Sequence, residues 1–285
     1  MILCRFRAPS GAISAGLSLD GETVLDLSSC GVASLADVLE GDDPVRRLEE
    51  LAGQAGNSGR IADAKLLAPV ERQEIWAAGV TYLRSREART AESRHDASAY
   101  DRVYEADRPE LFFKSLPEKV MGPGDSIGVR RESRWTVPEP ELTLVMNSRG
   151  RVVGCTLGND VSARDIEGEN LLYLPQAKVY NRSCALGPWI LVGCSEAQAR
   201  GWTIRLDILR DGRSVVRAEC PVANLRRSFD HLAGALFRSQ SFPHGAMLLT
   251  GTGVVPPDDF SLRAGDVVRI EAEGLGLLEN PVIEV

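Results

Sequence analysis

No pair of the six cysteines has the C-x-x-C spacing of a zinc ribbon or a redox motif. Cys4, Cys30, Cys155, Cys184, Cys194 and Cys220 are scattered, mostly among apolar neighbours, and read as buried, reduced thiols of a cytoplasmic protein. No stretch approaches the roughly 20 apolar residues of a membrane helix. The N-terminus lacks a basic segment followed by a long apolar run, so no signal peptide is expected. Internal repeats and low-complexity segments are missing as well. Positive charge is in deficit, with 33 Lys and Arg against 40 Asp and Glu and a net charge of −7. A mildly acidic chain is a poor match to sequence-independent nucleic-acid binding, which depends on neutralising phosphates. Of the 33 Lys and Arg only four are lysines: Lys65, Lys114, Lys119 and Lys178. A lysine beside polar, Gly-rich segments of such a chain invites attention.

What remains is ordinary for a soluble globular protein: 285 residues, 44% apolar and 26% charged. That excludes a disordered chain, a collagen-like chain and a disulfide-stapled miniprotein. At ~150 residues per domain the length suits two domains or one large one. The first part reads as a small α/β unit. Met1 to Phe6 and Ala12 to Leu19 look like strands around an Asp20-Gly21 turn. Helical patterns follow at Leu35 to Leu39, after a Ser34 cap, and at Val45 to Ala55. Gly53 to Gly59, small and polar, reads as a linker. From Ile75 onward short apolar runs alternate with Gly and Pro, the rhythm of a β-rich sandwich or barrel. Such runs are Leu142 to Met146, Val152 to Leu157, Trp189 to Val192, Thr203 to Leu209, Met247 to Gly251 and Val267 to Glu271. Thr81 to Tyr100 is charged, Ala-rich and helical in character, without a clean apolar stripe. These patterns divide the chain into a small domain over residues 1–68 and a larger one over 69–285, in the α+β class.

The most informative stretch is Val137-Pro138-Glu139-Pro140-Glu141-Leu142. Prolines favour extended backbone, and residues i and i+2 of a strand share a face about 7 Å apart. Two carboxylates so placed either face solvent or need compensation, for which a divalent cation on oxygen ligands is the natural candidate. A second apolar run ends at Gly158-Asn159-Asp160, so the two runs form a hairpin about Asn147-Ser148-Arg149-Gly150. A two-residue loop sets Glu141 opposite Thr156 and puts Asp160 on the face of both glutamates. A bulge at Gly150 instead sets Glu141 opposite Leu157 and turns Asp160 away. The first register is preferred, because a carboxylate beside a threonine costs less than one beside a leucine. An all-oxygen ligand set favours Mg²⁺, with Mn²⁺ or Ca²⁺ as alternatives, over Zn²⁺.

Several segments, taken in order, resemble the fumarylacetoacetate hydrolase family. They are Ala78-Gly79-Val80-Thr81-Tyr82, Pro109 to Lys114, Glu139-Pro140-Glu141-Leu142, Gly158 to Asp165, Ala177-Lys178, Leu186 to Trp189 and Thr250-Gly251-Thr252-Gly253. The resemblance runs from about Ile75 to the C-terminus and leaves the first ~65 residues uncovered. It implies a mixed β-roll or barrel core behind a small N-terminal domain, a homodimer, and a divalent metal on Glu139, Glu141 and Asp160. It also implies a short 2-oxo or 1,3-dicarbonyl acid as substrate. One departure matters. Many hydrolases of the family carry a lid histidine, with a glutamate three residues on, where this chain has Ser85 and Ala88. The form Gly-Val-Thr-Tyr-x-x-Ser resembles instead the sugar-acid dehydratase branch, whose activity is dehydration of 2-keto-3-deoxy-arabinonate.

That resemblance gives the residues their expected roles. Lys178 holds an anionic oxygen or shuttles a proton. Arg164 and Glu167 bind substrate or orient the metal shell. The hydroxyls and free N–H groups of Thr250 to Gly253, Thr252 above all, hold the substrate carboxylate; Tyr82 lines the pocket or packs in the core; Ser85 and Glu87 act from the lid, Glu87 as candidate base. His95, His231 and His244 receive no role. Two other functions stay in view: an acylpyruvate or fumarylpyruvate-type C–C hydrolase, and a non-catalytic 2-oxo-acid-binding protein.

Overall fold

The structure is a computed structural model that describes residues 1–8, 10–84 and 97–285. Strands β1 (Ile2–Arg7) and β2 (Ile13–Ser18) pair antiparallel and bury Leu3, Phe6, Ala15 and Leu17. β2 turns into β3 (Thr23–Asp26) at Asp20-Gly21, where Asp20 Oδ1 accepts from the N–H groups of Glu22 and Thr23, both at 2.8 Å. Helix α1 (Ala36–Leu39) starts one residue after the expected Ser34 cap, at Leu35. Helix α2 (Pro44–Ala52) has Asp43 as its cap, accepting from Arg46 N–H, and buries Leu48 and Leu51. The segment read as a linker is corrected: Gly56–Arg60 forms β4, paired with β3. Ladder hydrogen bonds use backbone groups alone, so a Gly-rich segment without an apolar pattern still pairs. β5 (Lys65–Leu67) pairs with β1.

The apolar runs become strands where expected. In chain order they are β6 (Glu74–Gly79), β7 (Glu110–Ser115), β8 (Ile127–Val129), β9 (Thr136–Val137), β10 (Pro140–Met146) and β11 (Val152–Asp160). Then follow β12 (Ser162–Ala163), β13 (Cys184–Val192), β14 (Thr203–Arg210), β15 (Arg213–Pro221), β16 (Ala246–Leu249), β17 (Val267–Ala272) and β18 (Gly276–Glu284). Helices α3 (Ala97–Glu105), α4 (Arg164–Glu169), α5 (Leu174–Lys178), α6 (Glu196–Ala199) and α7 (Phe229–Leu236) fill the connections.

One eleven-stranded sheet runs β4-β3-β2-β1-β13-β11-β10-β16-β6-β7, with β5 beside β1. The strands of the N-terminal segment thus continue the sheet of the larger segment, through β1 against β13. A five-stranded sheet, β15-β14-β17-β18-β8, packs across β10, β11 and β13. β9 and β12 form a separate pair. The sheets stay open; they do not close into a barrel. Between the two large sheets lies one apolar core with Leu142, Leu144, Leu157, Leu206 and Ile270. On the opposite face of the eleven-stranded sheet a second core joins Leu3, Leu17, Leu48, Val145 and Met247. β10 and β11 are therefore buried on both faces, and a charged side chain on either strand must find its partners inside the protein. All six cysteines are free thiols; five are buried and Cys30 is half-buried.

The β10–β11 hairpin departs from both expected registers. Asn147 to Gly150 form a tight turn, with Gly150 N–H donating to Asn147 O at 2.9 Å and Gly150 at φ +74°. That is the Gly150 bulge. A second irregularity follows at once, where Met146 pairs with Val152 but Val145 pairs with Gly154. Two extra residues on one strand restore the parity that one would have broken. Glu141 consequently lies opposite Gly158, not Thr156, and the N–H of Asp160 donates to Glu139 O at 3.0 Å.

Candidate active site

Glu139, Glu141 and Asp160 meet because of that register. Each offers one carboxylate oxygen within 4.8 Å of the other two, and all three are at most 3% exposed. Three negative charges this close and this dry require cations. Lys178, the last residue of α5, donates to Glu139 Oε2 at 2.8 Å, to Asp160 Oδ2 at 2.9 Å and to Ser162 Oγ at 2.5 Å. Arg164, the first residue of α4, donates from Nη1 to Glu139 Oε1 at 2.8 Å and lies over the Trp135 ring. Lys114 reaches in from β7, fully buried. Its ammonium pairs with Asp160 and donates to Lys178 O at 2.6 Å and Val161 O at 3.1 Å.

Glu141 is the least compensated of the three. Its Oε2 accepts from Gly251 N–H at 2.6 Å. Burial, then the neighbouring charges of Asp160 and Glu139, hold its carboxyl well above the usual carboxylate range, against the pull of Lys178 and the Gly251 N–H. The Gly251 position has a local cause. Its φ is +95°, and a Cβ there would lie 2.0 Å from Thr81 Oγ1, which donates to Thr250 O at 2.6 Å. Only glycine lets the backbone come so close to Glu141.

Above the cluster opens a small cleft, walled by Gly79, Glu110, Phe112, Glu167, Gly251 and Thr252. Gly79 has no side chain because the Glu110 carboxylate occupies that space, 2.1 Å from where a Cβ would stand. Glu167 is 7% exposed and lines the same space. Thr252 Oγ1 is held at Val254, donating to its carbonyl and accepting from its N–H at 3.1 Å. Tyr82 lies in the apolar core between the sheets, 2% exposed, with its ring against Gly253. Ser85 and Glu87 fall outside the described residues. Among those described, no histidine lines the cleft; His231 instead sits 2.8 Å from Asp107 O.

Lys114 and Ser162 had no expected role, and the Gly251 N–H, expected to help hold a substrate carboxylate, binds the Glu141 carboxylate instead. Lys114 carried a signal: a lysine ending the apolar run Leu111-Phe112-Phe113, in a chain with four lysines. Ser162 carried none, since its value comes from where the strands end. The donor set fits a hard divalent ion. It is all oxygen, buried, mutually repulsive, and includes one carboxyl that burial keeps from ionising freely.

Residues 74–283 match the family described as "Fumarylacetoacetate (FAA) hydrolase C-terminal". The chain belongs to the fumarylacetoacetate hydrolase family. Within it, the chain is 47% identical over 225 residues to a probable 2-keto-3-deoxyxylonate dehydratase of Haloferax volcanii, covering 79% of this chain and 77% of that one. It is 39% identical over 228 residues to the 2-dehydro-3-deoxy-D-arabinonate dehydratase of Saccharolobus solfataricus, covering 79% and 76%. The solved structure of a 2-keto-3-deoxy-D-arabinonate dehydratase, complexed with magnesium and 2,5-dioxopentanoate, superimposes with a TM-score of 0.80. That match has 32% identity and covers 100% of this chain and 99% of that one. Among the described residues no helix is long and apolar enough to cross a membrane.

Proposed function

We propose that this enzyme is a Mg²⁺-dependent hydro-lyase that converts a 2-keto-3-deoxy pentonate, 2-dehydro-3-deoxy-D-arabinonate, to 2,5-dioxopentanoate and water. The observation that carries the reading is the buried Glu139–Glu141–Asp160 cluster with Lys178 bonded to two of its members. The 47% and 39% identities to sugar-acid dehydratases support the reaction class.

Glu139, Glu141 and Asp160 would hold the ion. When bound, it supplies electrophilic polarisation of the 2-oxo group, which makes the C3 protons more acidic. The chain's own residues do the rest. Thr252, on the cleft wall, would receive the substrate carboxylate by giving up its bond to Val254, while the Gly251 N–H stays on Glu141. Arg164 keeps Glu139 oriented and Glu167 faces the sugar hydroxyls. Lys178 carries a proton at Nζ, beside the cleft, for the departing C4 hydroxyl. Loss of C3–H and C4–OH expels one water and leaves a C3=C4 double bond conjugated with the 2-oxo group; transfer of a proton from C5 to C3 then gives the C4–C5 enol, which tautomerises to the C5 aldehyde without any redox step. Glu87 is the proposed base and Ser85 a second proposed lid residue; Tyr82 supports the pocket from the core. The reading carries with it the homodimer that the family resemblance implies and the cytosolic location that the unpaired cysteines suggest.

The decisive assay incubates the protein with a panel of 2-keto-3-deoxy acids, with Mg²⁺ or EDTA, and identifies products by mass. A single product lighter by one water, formed only with Mg²⁺, supports the reading. Two smaller acids from an acylpyruvate would make it a hydrolase, and binding without turnover would make it a binding protein.

A further inference from the structure

Two adjacent arginines outside the cleft hold both ends of the excursion that the chain makes between β6 and β7. Arg227 is only 6% exposed, yet its three hydrogen bonds among the described residues all go to backbone carbonyls. They are Val103 O at 2.9 Å, Ala106 O at 2.7 Å and Asp107 O at 3.3 Å. These are the last carbonyls of α3 and the turn after it, groups that a helix cannot satisfy itself and that carry the negative end of its dipole. His231 Nε2 meets Asp107 O from the other side. Arg226 takes the remaining contacts. Its side chain pairs with Glu105 at 2.9 Å and lies 4.5 Å from the Tyr104 ring, while its N–H donates to Thr81 O at 3.0 Å. The arginine loop is itself braced by Arg200, which donates to Leu225 O at 2.8 Å and to Arg227 O at 3.2 Å.

Both grips lead to the active site. Thr81 binds Thr250 O, and the next residue supplies the N–H on Glu141. Asp107 is three residues before Glu110, whose carboxylate lies in the cleft beside Gly79. We propose that Arg226 and Arg227 are positioning residues for the dehydration: by clamping the end of α3 and the Thr81 carbonyl to one loop, they fix Glu110 over the metal-ligand cluster. A guanidinium is suited to this because its donors fan out in one plane and reach several carbonyls at once, which an ammonium on a flexible stem does not. The clamp rests on the reading of the cleft as a dehydratase site, but neither arginine side chain touches Glu139, just before β10, Glu141 on β10 or Asp160 on β11.

The test uses the full-length Mg²⁺-loaded enzyme and Arg227→Ala, with Arg227→Lys and Arg226→Gln beside it. A displacement of about 1 Å in Glu110 is expected to lower kcat of R227A roughly 10–100-fold. Mg²⁺ affinity, read by calorimetry without substrate, should stay within about twofold, because the substituted side chains touch no metal ligand and the Arg226 N–H bond to Thr81, which leads to Glu141, belongs to the backbone and is kept. Hydrogen exchange should rise in residues 101–110 and not in β10 or β11. Added guanidinium should restore part of kcat and of that protection, and R227K should not match the natural enzyme. If R227A fails to fold, R226Q carries the test, with kcat about 3–10-fold down and Mg²⁺ affinity unchanged. Unchanged kcat and exchange in R226Q and R227A would overturn the clamp, as would parallel losses of kcat and Mg²⁺ affinity without guanidinium rescue. If the natural enzyme dehydrates nothing, the function reading fails and the catalytic claim with it, while the exchange experiment still reports whether the clamp holds α3.

Discussion

Glu141→Gln separates metal binding from folding, because the two effects have opposite signs. The substitution keeps the shape and an acceptor for the Gly251 N–H. It removes a carboxyl that lies within 4.8 Å of two others. At that separation each like-charge pair repels by roughly 3–4 kcal/mol, gross, at an effective dielectric constant near 20. Lys178 offsets part of this, yet the carboxyl is still held well above its usual range. In EDTA, E141Q should therefore be as stable as the natural protein or more so. Magnesium reverses the order. At 100 times Kd a ligand adds about 2.7 kcal/mol, or about 5–10 °C in Tm for a chain of this size. Changes outside the ligand shell alone cost 10–100-fold in metal affinity, so losing a ligand should cost about 10²-fold or more. At the same Mg²⁺ concentration E141Q would gain only about 0.4 kcal/mol, or 1–2 °C. Calorimetric melting of chelator-stripped protein over a Mg²⁺ titration reads both effects. A full Mg²⁺ shift in E141Q, or a loss of about 3 kcal/mol in EDTA, would refute the assignment of Glu141 as a ligand.

The same contacts set four further outcomes. Lys178→Met strands Glu139 and Asp160 without their shared ammonium, and should cost about 3–5 kcal/mol in EDTA at neutral pH, with turnover lost; urea melts that match the natural protein would contradict this. Raising the pH ionises Glu141 against its surroundings, so metal-free protein should lose stability as pH climbs through the raised range, above the ordinary glutamate value of about 4.3. Mg²⁺ binding should correspondingly tighten with pH and release protons, measurable by titration in buffers of different ionisation enthalpy. Gly251→Ala puts a methyl group 2.0 Å from Thr81 Oγ1 at φ +95°, and should cost about 2–4 kcal/mol together with the Gly251–Glu141 bond; a melting temperature within a degree of the natural protein would show the corner to be soft.

The sequence by itself determined the local and the chemical. Runs such as Leu142 to Met146 and Val267 to Glu271 announce strands, because burial on the sheet demands apolar side chains. Glu-x-Glu followed by Asn-Asp marks candidate oxygen ligands, and only the fold decided that they are buried rather than facing solvent. Tertiary structure decided what no local pattern encodes. A glycine-rich segment became β4, since backbone pairing ignores side chains. Two bulges, not an even loop, brought Asp160 opposite Glu139, since register depends on how residues accumulate along a whole hairpin. Lys114, Ser162 and the Gly251 N–H joined the cluster from distant strands and strand ends, since a buried charge takes its partners from whatever the fold sets within about 3 Å of it.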